Sequence, residues 1–419
     1  MRDSIISLIV FGSIPFIFKR PYIGVYVWTW LAYMNPHRLS WGFAYNFPFA
    51  MIAGVTTIAA TLFTRQKKSI PWSPLTVILL IWMLWLGVTT MFALNPEEAV
   101  PQWEKATKIL LMTFIMMMVV RERMQVHYLV WVMVLSLGFY GFKGGLFTIL
   151  TGGQYRIWGP PDSFAEDNNV LALALIMLMP LMRYLQMYSE NVWLRRAITV
   201  GMVLCAFSII ASYSRGAFLA GSVMAFFLFI KSKQKLALGF AIAIVIAVLL
   251  AFIPEEWTER MQTIQTYEED ASAMGRINAW HFAYNLALDR PITGGGFEAF
   301  TRGLFYIYAP DPMDFHDAHS IYFEALGEQG FIGLFIFLCL GIAGLMTGSR
   351  VMRMARGDPE LEWAGDLAAM TQVSLIGYAV GGLFLGLAYY DLPYNLYAIM
   401  AILLGICKEQ QKKHAGQSA

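Results

Sequence analysis

Charged side chains are scarce in this chain. They make up 14% of the 419 residues, whereas hydrophobic residues make up 58%, and soluble domains carry about 25% charged residues. A water-soluble core could not bury so much apolar surface, so lipid must be the solvent for most of the chain. The formal net charge is only +2, which argues against nucleic acid as a partner.

Cysteine and several common catalytic signatures are also rare or absent. The three cysteines, Cys205, Cys339 and Cys407, all lie inside apolar runs, which argues against a disulfide framework. The sequence has no Walker loop, no Gly-x-Ser-x-Gly elbow and no Asp-x-Asp pair, so ATP hydrolysis and serine-hydrolase chemistry have no support. It also lacks the paired internal repeats that are common in transporters, the alternative from another functional class.

What the sequence does have is a series of apolar segments, and crossing a bilayer requires about 20 such residues. We predict an all-α, polytopic integral membrane protein with about 12 transmembrane helices and one large periplasmic loop. The first segment has no signal-peptide cleavage site, which favours an uncleaved anchor; the first two are either two spans or one broken element. The candidate spans are 4–18, 21–34, 47–63, 74–93, 105–120, 126–149, 169–188, 197–212, 216–230, 236–253, 321–347, 369–389 and 394–407.

Basic residues predict the orientation, because Lys and Arg in short connectors favour the cytoplasm. They cluster on alternate connectors, at 65–68, 121–123, 195–196, 231–235, 350–356 and 408–413, so one side accommodates them all. The predicted organisation is therefore N-terminal transmembrane helices over 1–253, a large periplasmic loop over 254–320, and C-terminal transmembrane helices with a cytoplasmic tail over 321–419.

Four polar residues stand out at the predicted membrane boundary. Arg215 lies between two apolar runs, where an arginine is costly unless it snorkels or meets an anion. Arg276 is either a ligand for an anion or the partner of acidic residues at 268–270. His319 is either a functional imidazole or the cap of the following helix. For Arg156 the simplest interpretation is a surface position.

Carboxyl groups gather near the same boundary. Glu324 and Glu328 are four residues apart and share a helix face, so they look into a cavity, pair with arginine, or add polarity near water. Imidazole and carboxylate groups also suit zinc or manganese, but the cluster has no recognised ligand spacing, so we predict neither a metal site nor a cofactor. Its members are Asp314, His316, Asp317 and His319.

Three stretches, in order and spacing, resemble the O-antigen ligase and polymerase superfamily of bacterial envelope assembly. They are Ser212-Tyr213-Ser214-Arg215-Gly216-Ala217; Gly275-Arg276-Ile277-Asn278-Ala279-Trp280 with Pro291-Ile292-Thr293-Gly294-Gly295-Gly296-Phe297; and His319-Ser320-Ile321-Tyr322 through Glu328-Gln329-Gly330-Phe331-Ile332-Gly333. Ser320 stands where the family more often has Asn. The N-terminal half resembles a subgroup of O-glycosylation ligases through Pro21-Tyr22-Ile23-Gly24, Met34-Asn35-Pro36-His37-Arg38 and Trp41-Gly42.

The resemblance implies an enzyme of the bacterial inner (cytoplasmic) membrane. Members of the superfamily transfer a glycan from undecaprenyl pyrophosphate to an acceptor hydroxyl at the periplasmic face. The expected partners are that donor, a lipid A-core acceptor and membrane lipid, in lipopolysaccharide biosynthesis. A protein O-oligosaccharyltransferase and a polymerase of glycan repeat units remain alternatives.

The resemblance also implies roles for individual residues. Arg215 and Arg276 are expected to bind the pyrophosphate, which removes the need for a metal ion. His319 is expected to be the general base. Arg156 and Glu328 are expected to contact substrate, and Glu328 also to orient the other groups.

Overall fold

The computed structural model describes residues 1–66, 68–232, 235–236, 239, 243 and 271–417. Within these ranges it contains fourteen α-helices, two short 3-10 helices and no strand, which confirms the all-α prediction. The predicted span at 236–253 and the stretch at 254–270 lie almost wholly outside the described residues. The α-helices are α1 (Arg2–Lys19), α2 (Tyr22–Met34), α3 (Phe49–Phe63), α4 (Pro74–Met91), α5 (Pro96–Val119), α6 (Arg123–Leu150), α7 (Asn168–Met187), α8 (Val192–Ile210), α9 (Arg215–Lys231), α10 (Ala271–Asp289), α11 (Arg302–Tyr308), α12 (Ile321–Met354), α13 (Glu362–Gly381) and α14 (Asp391–Gln417).

Five of the described helices, α4, α6, α7, α8 and α12, are long and apolar enough to cross a membrane. Their outer surfaces fit lipid: on α12, Phe335, Ile342 and Met346 are exposed, while Leu340 on another face is buried. A helix in water would not expose such a stripe without a partner. The chain is therefore a membrane-embedded helical protein, and the number of about 12 spans stays a prediction.

Short polar signals start several of these helices. Ser73 caps α4 with a hydrogen bond from the Thr76 amide, and Pro74 occupies the first turn, where no amide donor is needed. The Asp167 carboxylate accepts hydrogen bonds from the first amides of α7. The Ser214 hydroxyl accepts one from Ala217 at the start of α9. Such caps satisfy amides that would otherwise lack a partner.

Helix α7 forms the centre of the bundle. It is buried on almost all sides between Val170 and Leu185, as expected for a helix that is apolar all round. It packs against α6, α8, α9 and α13, and α13 in turn packs against α12 and α14. The predicted functional residues lie at or beyond the ends of this bundle rather than in its middle.

Several helices have different limits from the predicted spans, and α5 and α13 bear on the site. Helix α5 begins at Pro96 instead of residue 105, because a proline is well suited to a first helical turn. Helix α13 ends at Gly381, although the apolar run continues to 389. Its chain turns away at Gly382, whose carbonyl accepts the Ile321 amide at 2.8 Å. Residues 382–390 are consequently free to form one wall of the site.

The described part of the predicted loop folds as a small helical module. Helices α10 and α11 share an aromatic core in which the Phe282 and Phe305 rings stack with centroids 4.3 Å apart. Helix α10 also packs against α12. The module therefore rests on the C-terminal helices instead of extending away from them.

A break in α12 makes this docking possible. Gly330 has φ 70°, in the left-handed region that favours glycine. In an uninterrupted helix the Phe331 amide would donate to the Gly327 carbonyl; here it donates to the Pro291 carbonyl at 2.9 Å. The break thus frees carbonyl groups in the turn that precedes it.

The glycine-rich stretch of the module binds to those carbonyl groups. The amides of Gly295 and Gly296 donate to the carbonyls of Gly327 and Glu328, each at 2.8 Å. The Gly295 carbonyl in turn accepts the Leu94 amide at 2.8 Å. We call residues 291–298 together with the broken turn of α12 the clasp.

Replacing Gly330 by alanine should therefore destabilise the protein. A left-handed conformation costs a residue with a Cβ about 1–2 kcal/mol, and this Cβ would lie 2.5 Å from the Ile292 carbonyl oxygen. We expect a lower midpoint of thermal unfolding for purified Gly330→Ala. Gly303→Ala is the matched control, because its Cβ would have no neighbour within 4 Å. Equal midpoints for the two variants would contradict the role of the clasp.

Candidate active site

His319 is held between the module and α12. The Trp280 indole of α10 donates to the Ala318 carbonyl at 2.9 Å, and its ring stacks on Phe323 of α12 with centroids 4.9 Å apart. His319 itself has φ 42°. A residue other than glycine with a positive φ is strained, and the surrounding structure must offset that strain. Such residues cluster at functional sites. The backbone on both sides of His319 is therefore held by Trp280.

The rest of the Gly-Arg-x-Asn-x-Trp pattern supports the segment before His319. The Asn278 amide donates to the carbonyls of Asp311 and Asp314 at 2.8 and 2.9 Å. The His316 ring lies over Gly275, where a Cβ would come within 2.3 Å of Nε2. His316 Nε2 is also 2.9 Å from a carboxylate oxygen of Asp314. Glycine, asparagine and tryptophan in this pattern thus hold the segment before His319 in place.

Burial and neighbouring charges set the protonation of His319. Burial lowers the pKa of its imidazole, and the charges of Arg276 and His316 lower it further; Asp317 and Asp167 act in the opposite direction. The net result is a pKa below the ordinary value of 6.5. The imidazole is therefore neutral near neutral pH, which is the form that accepts a proton.

Arg215 stands at the first position of α9, directly after a tight turn. Tyr213 in that turn has φ 54°, and its hydroxyl donates to the Gly153 carbonyl. The half-buried Arg215 side chain follows the Ser214 cap. A Cβ on Gly216 would lie 3.0 Å from the Phe384 side chain, so the turn packs closely against the wall formed by residues 382–390.

A hydrogen bond connects this turn to the His319 side of the site. The Asn168 side chain, at the start of α7, donates to the Ser212 carbonyl at 2.6 Å. Its neighbour Asp167 is one of the charges that act on His319. The structure therefore brings Arg215, Arg276 and His319 to the same end of the bundle.

The two remaining site predictions have different outcomes. Arg156 is exposed in the connector after α6, as the surface interpretation holds, and its contact with substrate stays a prediction. Glu328 is buried, and its carboxylate accepts hydrogen bonds from the Glu298 amide at 2.8 Å and from the Tyr389 hydroxyl at 2.7 Å. These contacts give it a positioning role in the clasp. Its contact with substrate stays a prediction.

A cavity of about 340 Å³ lies beside these residues. Glu324 and Glu328 both line it, which confirms that their shared face looks into a cavity. The Glu324 carboxylate accepts the Ala388 amide at 2.9 Å. The lining residues are Gln102, Lys105, Ala106, Phe164, Phe297, Glu298, Phe300, Asp317, Glu324, Glu328, Gly386, Leu387 and Tyr389.

The sequence analysis missed two charged residues of this cavity. Lys105 lies 3.8 Å over the Phe164 ring, and Glu298 accepts a hydrogen bond from Gln102 at 2.6 Å. Each had a signal: Lys105 is a charge at the first position of an apolar run, and Glu298 follows the glycine triplet after one residue. Among the described residues, no three His, Cys, Asp or Glu side chains are grouped to hold a metal ion.

Comparison with known families divides the chain into two parts. Residues 200–338 match the family model described as O-Antigen ligase, and residues 1–190 match a family of unknown function (DUF5935). No curated protein matches the chain. The first match includes Arg215, Arg276, His319 and Glu328, whereas Arg156 falls in the second.

The lowered pKa of His319 predicts the acidic limb of the pH–rate profile. A base with a lowered pKa stays neutral to more acidic pH, so turnover should fall only as pH drops through a value below 6.5. The measurement is kcat/KM for the purified enzyme across pH 4.5–8, with its folding monitored at each pH. An acidic limb centred above 6.5 would contradict the half-buried neutral imidazole of His319 as the base.

Proposed function

We propose that this chain is an O-antigen ligase of the O-antigen ligase and polymerase superfamily, which the match of residues 200–338 to the O-Antigen ligase family model supports. In the proposed reaction a glycan moves from undecaprenyl pyrophosphate to a sugar hydroxyl of lipid A-core. The site would face the periplasm from the inner membrane, and the product would be lipopolysaccharide. The proposal rests on one observation: a half-buried His319 under the charge of Arg276, at the same end of the bundle as Arg215.

The arginines fit the donor. Breaking the bond between sugar and pyrophosphate develops negative charge on the leaving group, and fixed positive charge beside it lowers the barrier. Guanidinium groups suit this role because their planar fork meets phosphate oxygens bidentately and never loses its proton. Arg215 at the first turn of α9 adds the positive end of a helix dipole to its own charge.

His319 fits the acceptor half of the reaction. Its neutral imidazole takes the proton of the acceptor hydroxyl while that oxygen bonds to the anomeric carbon of the donor sugar. The bond from the anomeric carbon to the pyrophosphate oxygen breaks, and its electron pair leaves with the pyrophosphate. Direct attack inverts the anomeric centre. The imidazolium then releases its proton to water, and no ATP is needed because the donor is already activated.

Two other activities would use the same donor chemistry. A polymerase would pass the glycan to another glycan, and a protein O-oligosaccharyltransferase would pass it to a serine or threonine hydroxyl. Arg215, Arg276 and His319 serve all three, since they act on the pyrophosphate and on a hydroxyl. The acceptor therefore has to be identified by experiment.

The test is transfer by the purified protein reconstituted with an undecaprenyl-pyrophosphate glycan. Separate reactions contain lipid A-core, a serine- and threonine-rich peptide, or no added acceptor, each with and without EDTA. We expect glycan on lipid A-core and full activity in EDTA, because the arginines supply the positive charge. Product only with peptide, or a growing glycan without acceptor, would replace the ligase by one of the alternatives. No donor consumption in any reaction would defeat all three.

One substitution tests the role of His319. The cap position of α12 is Ser320 rather than His319, and asparagine tolerates the left-handed backbone found at position 319. His319→Asn should therefore fold and bind donor, yet lose transfer by about 10²–10⁴-fold because an amide cannot take the proton. Transfer and donor binding are measured on the same purified samples. His316→Asn is the control, since it sits three residues away and pairs with Asp314. Near-normal transfer by His319→Asn would defeat the assignment, and a dead His316→Asn beside it would move the base to His316.

A further inference from the structure

We propose that the cavity beside His319 is the subsite for the acceptor sugar, and that it selects an uncharged or amino-bearing sugar over an anionic one. The inference rests on the proposed function and names the substrate class of that site. Three features of the cavity support the inference: its connection to His319, the sign of its charges and its aromatic lining.

Asp317 connects the cavity to the catalytic imidazole. It lines the cavity, and its charge is one of those that act on His319 two residues later. Residues 317–319 thus form a boundary with the cavity on one side and the proposed base on the other. A sugar in the cavity would present a hydroxyl on the side of the site where its proton is to be removed.

The charges of the cavity are unsuited to a pyrophosphate. Its lining contains the exposed carboxylates of Glu298 and Asp317 and the ammonium group of Lys105. The other two carboxyl groups, those of Glu324 and Glu328, accept hydrogen bonds within the protein and are not counted as free charges. Neither Arg215 nor Arg276 is among the lining residues. Because like charges at close range are strongly unfavourable, the pyrophosphate belongs on the arginine side. An anionic sugar would meet the same repulsion in the cavity.

The size and the apolar lining of the cavity fit a sugar. Its volume of about 340 Å³ falls within the range of about 300–1,000 Å³ that is usual for small-molecule sites. The rings of Phe164, Phe297, Phe300 and Tyr389 contribute to its wall. Aromatic rings pack against the apolar faces of sugars, and carboxyl groups accept hydrogen bonds from hydroxyl and ammonium groups.

Glu298 is held in place before any ligand arrives. It has φ 55°, its amide donates to Glu328, and its carboxylate accepts the Gln102 side chain at 2.6 Å. A strained residue held by two neighbours is typical of a binding site rather than of a solvated loop. Its exposed carboxylate on the cavity wall is a fixed negative charge that rejects anions, a common source of specificity.

Two variants change the charge of the wall in opposite directions. Glu298→Gln removes a negative charge and keeps an acceptor for Gln102; Lys105→Gln removes the positive charge. The control is Glu98→Gln. Glu98 lies in the first turn of α5, the helix that also contains Lys105, and it is a surface carboxylate outside the cavity. All three side chains are exposed, so the fold should tolerate each change.

The probes are the methyl glycosides of glucosamine, glucose and glucuronic acid. Their affinities are measured by saturation-transfer NMR on the purified protein, and again as inhibitors of transfer. We expect glucosamine and glucose to bind more tightly than glucuronate, and to compete with acceptor but not with donor. Glu298→Gln should narrow the ratio of glucosamine to glucuronate affinity by about fivefold. Lys105→Gln should widen it by a similar factor, and Glu98→Gln should leave it unchanged.

Several outcomes would overturn the inference. Equal ratios of glucosamine to glucuronate affinity in the wild type, Glu298→Gln and Lys105→Gln would show that the cavity does not select by charge. Competition with donor instead of acceptor would make the cavity a donor-sugar subsite. Absence of transfer from the wild type with every acceptor would defeat the proposed function instead, and the NMR ratios would still decide the charge preference of the cavity.

Discussion

The candidate site depends on the break in α12 at Gly330. A regular helix uses its own carbonyl groups, so it offers no backbone acceptors to a passing segment. The left-handed glycine releases the carbonyls of Gly327 and Glu328, and the amides of Gly295 and Gly296 take them. Four backbone groups thereby join the loop module to a membrane-embedded helix without any charge pair. Backbone hydrogen bonds of this kind hold geometry independently of salt and pH.

The break has consequences beyond the clasp. It places Glu328 where its carboxylate reaches both the Glu298 amide and the Tyr389 hydroxyl, so the loop module, α12 and the turn after α13 share one buried group. His319, at the other end of the same helical segment, is fixed by the Trp280 contact with Ala318. A site assembled from elements so distant in sequence needs such common anchors, because its groups must be in place before the reaction starts.

Local signals in the sequence predicted much of this structure, whereas contacts between residues far apart in the sequence could not be predicted from it. Apolar runs gave the helices of the bundle, and the helical spacing of Glu324 and Glu328 gave their common face toward a cavity. The end of α13 was not predictable from composition, since the chain stays apolar beyond Gly381 and turns because the Gly382 carbonyl pairs with Ile321. Lys105 and Glu298 were missed for the same reason: 193 residues separate them, and only the fold brings them to one cavity.

The distribution of charge in the site bears on how two substrates would be kept apart. In the proposed reaction the donor carries a pyrophosphate and the acceptor a nucleophilic hydroxyl, and both arrive on lipid carriers through the same membrane. A uniformly basic site would bind either anionic lipid at either position and would trap the released pyrophosphate on the acceptor side. In the proposed arrangement the arginines, which do not line the cavity, bind the pyrophosphate, and the carboxylates of the cavity repel it. The leaving group is thereby kept out of the place of the acceptor sugar. The charges of Arg276 and Asp317 both act on the His319 imidazole. In the proposed reaction the imidazole would contact the incoming hydroxyl, on the face of the anomeric carbon opposite the leaving pyrophosphate.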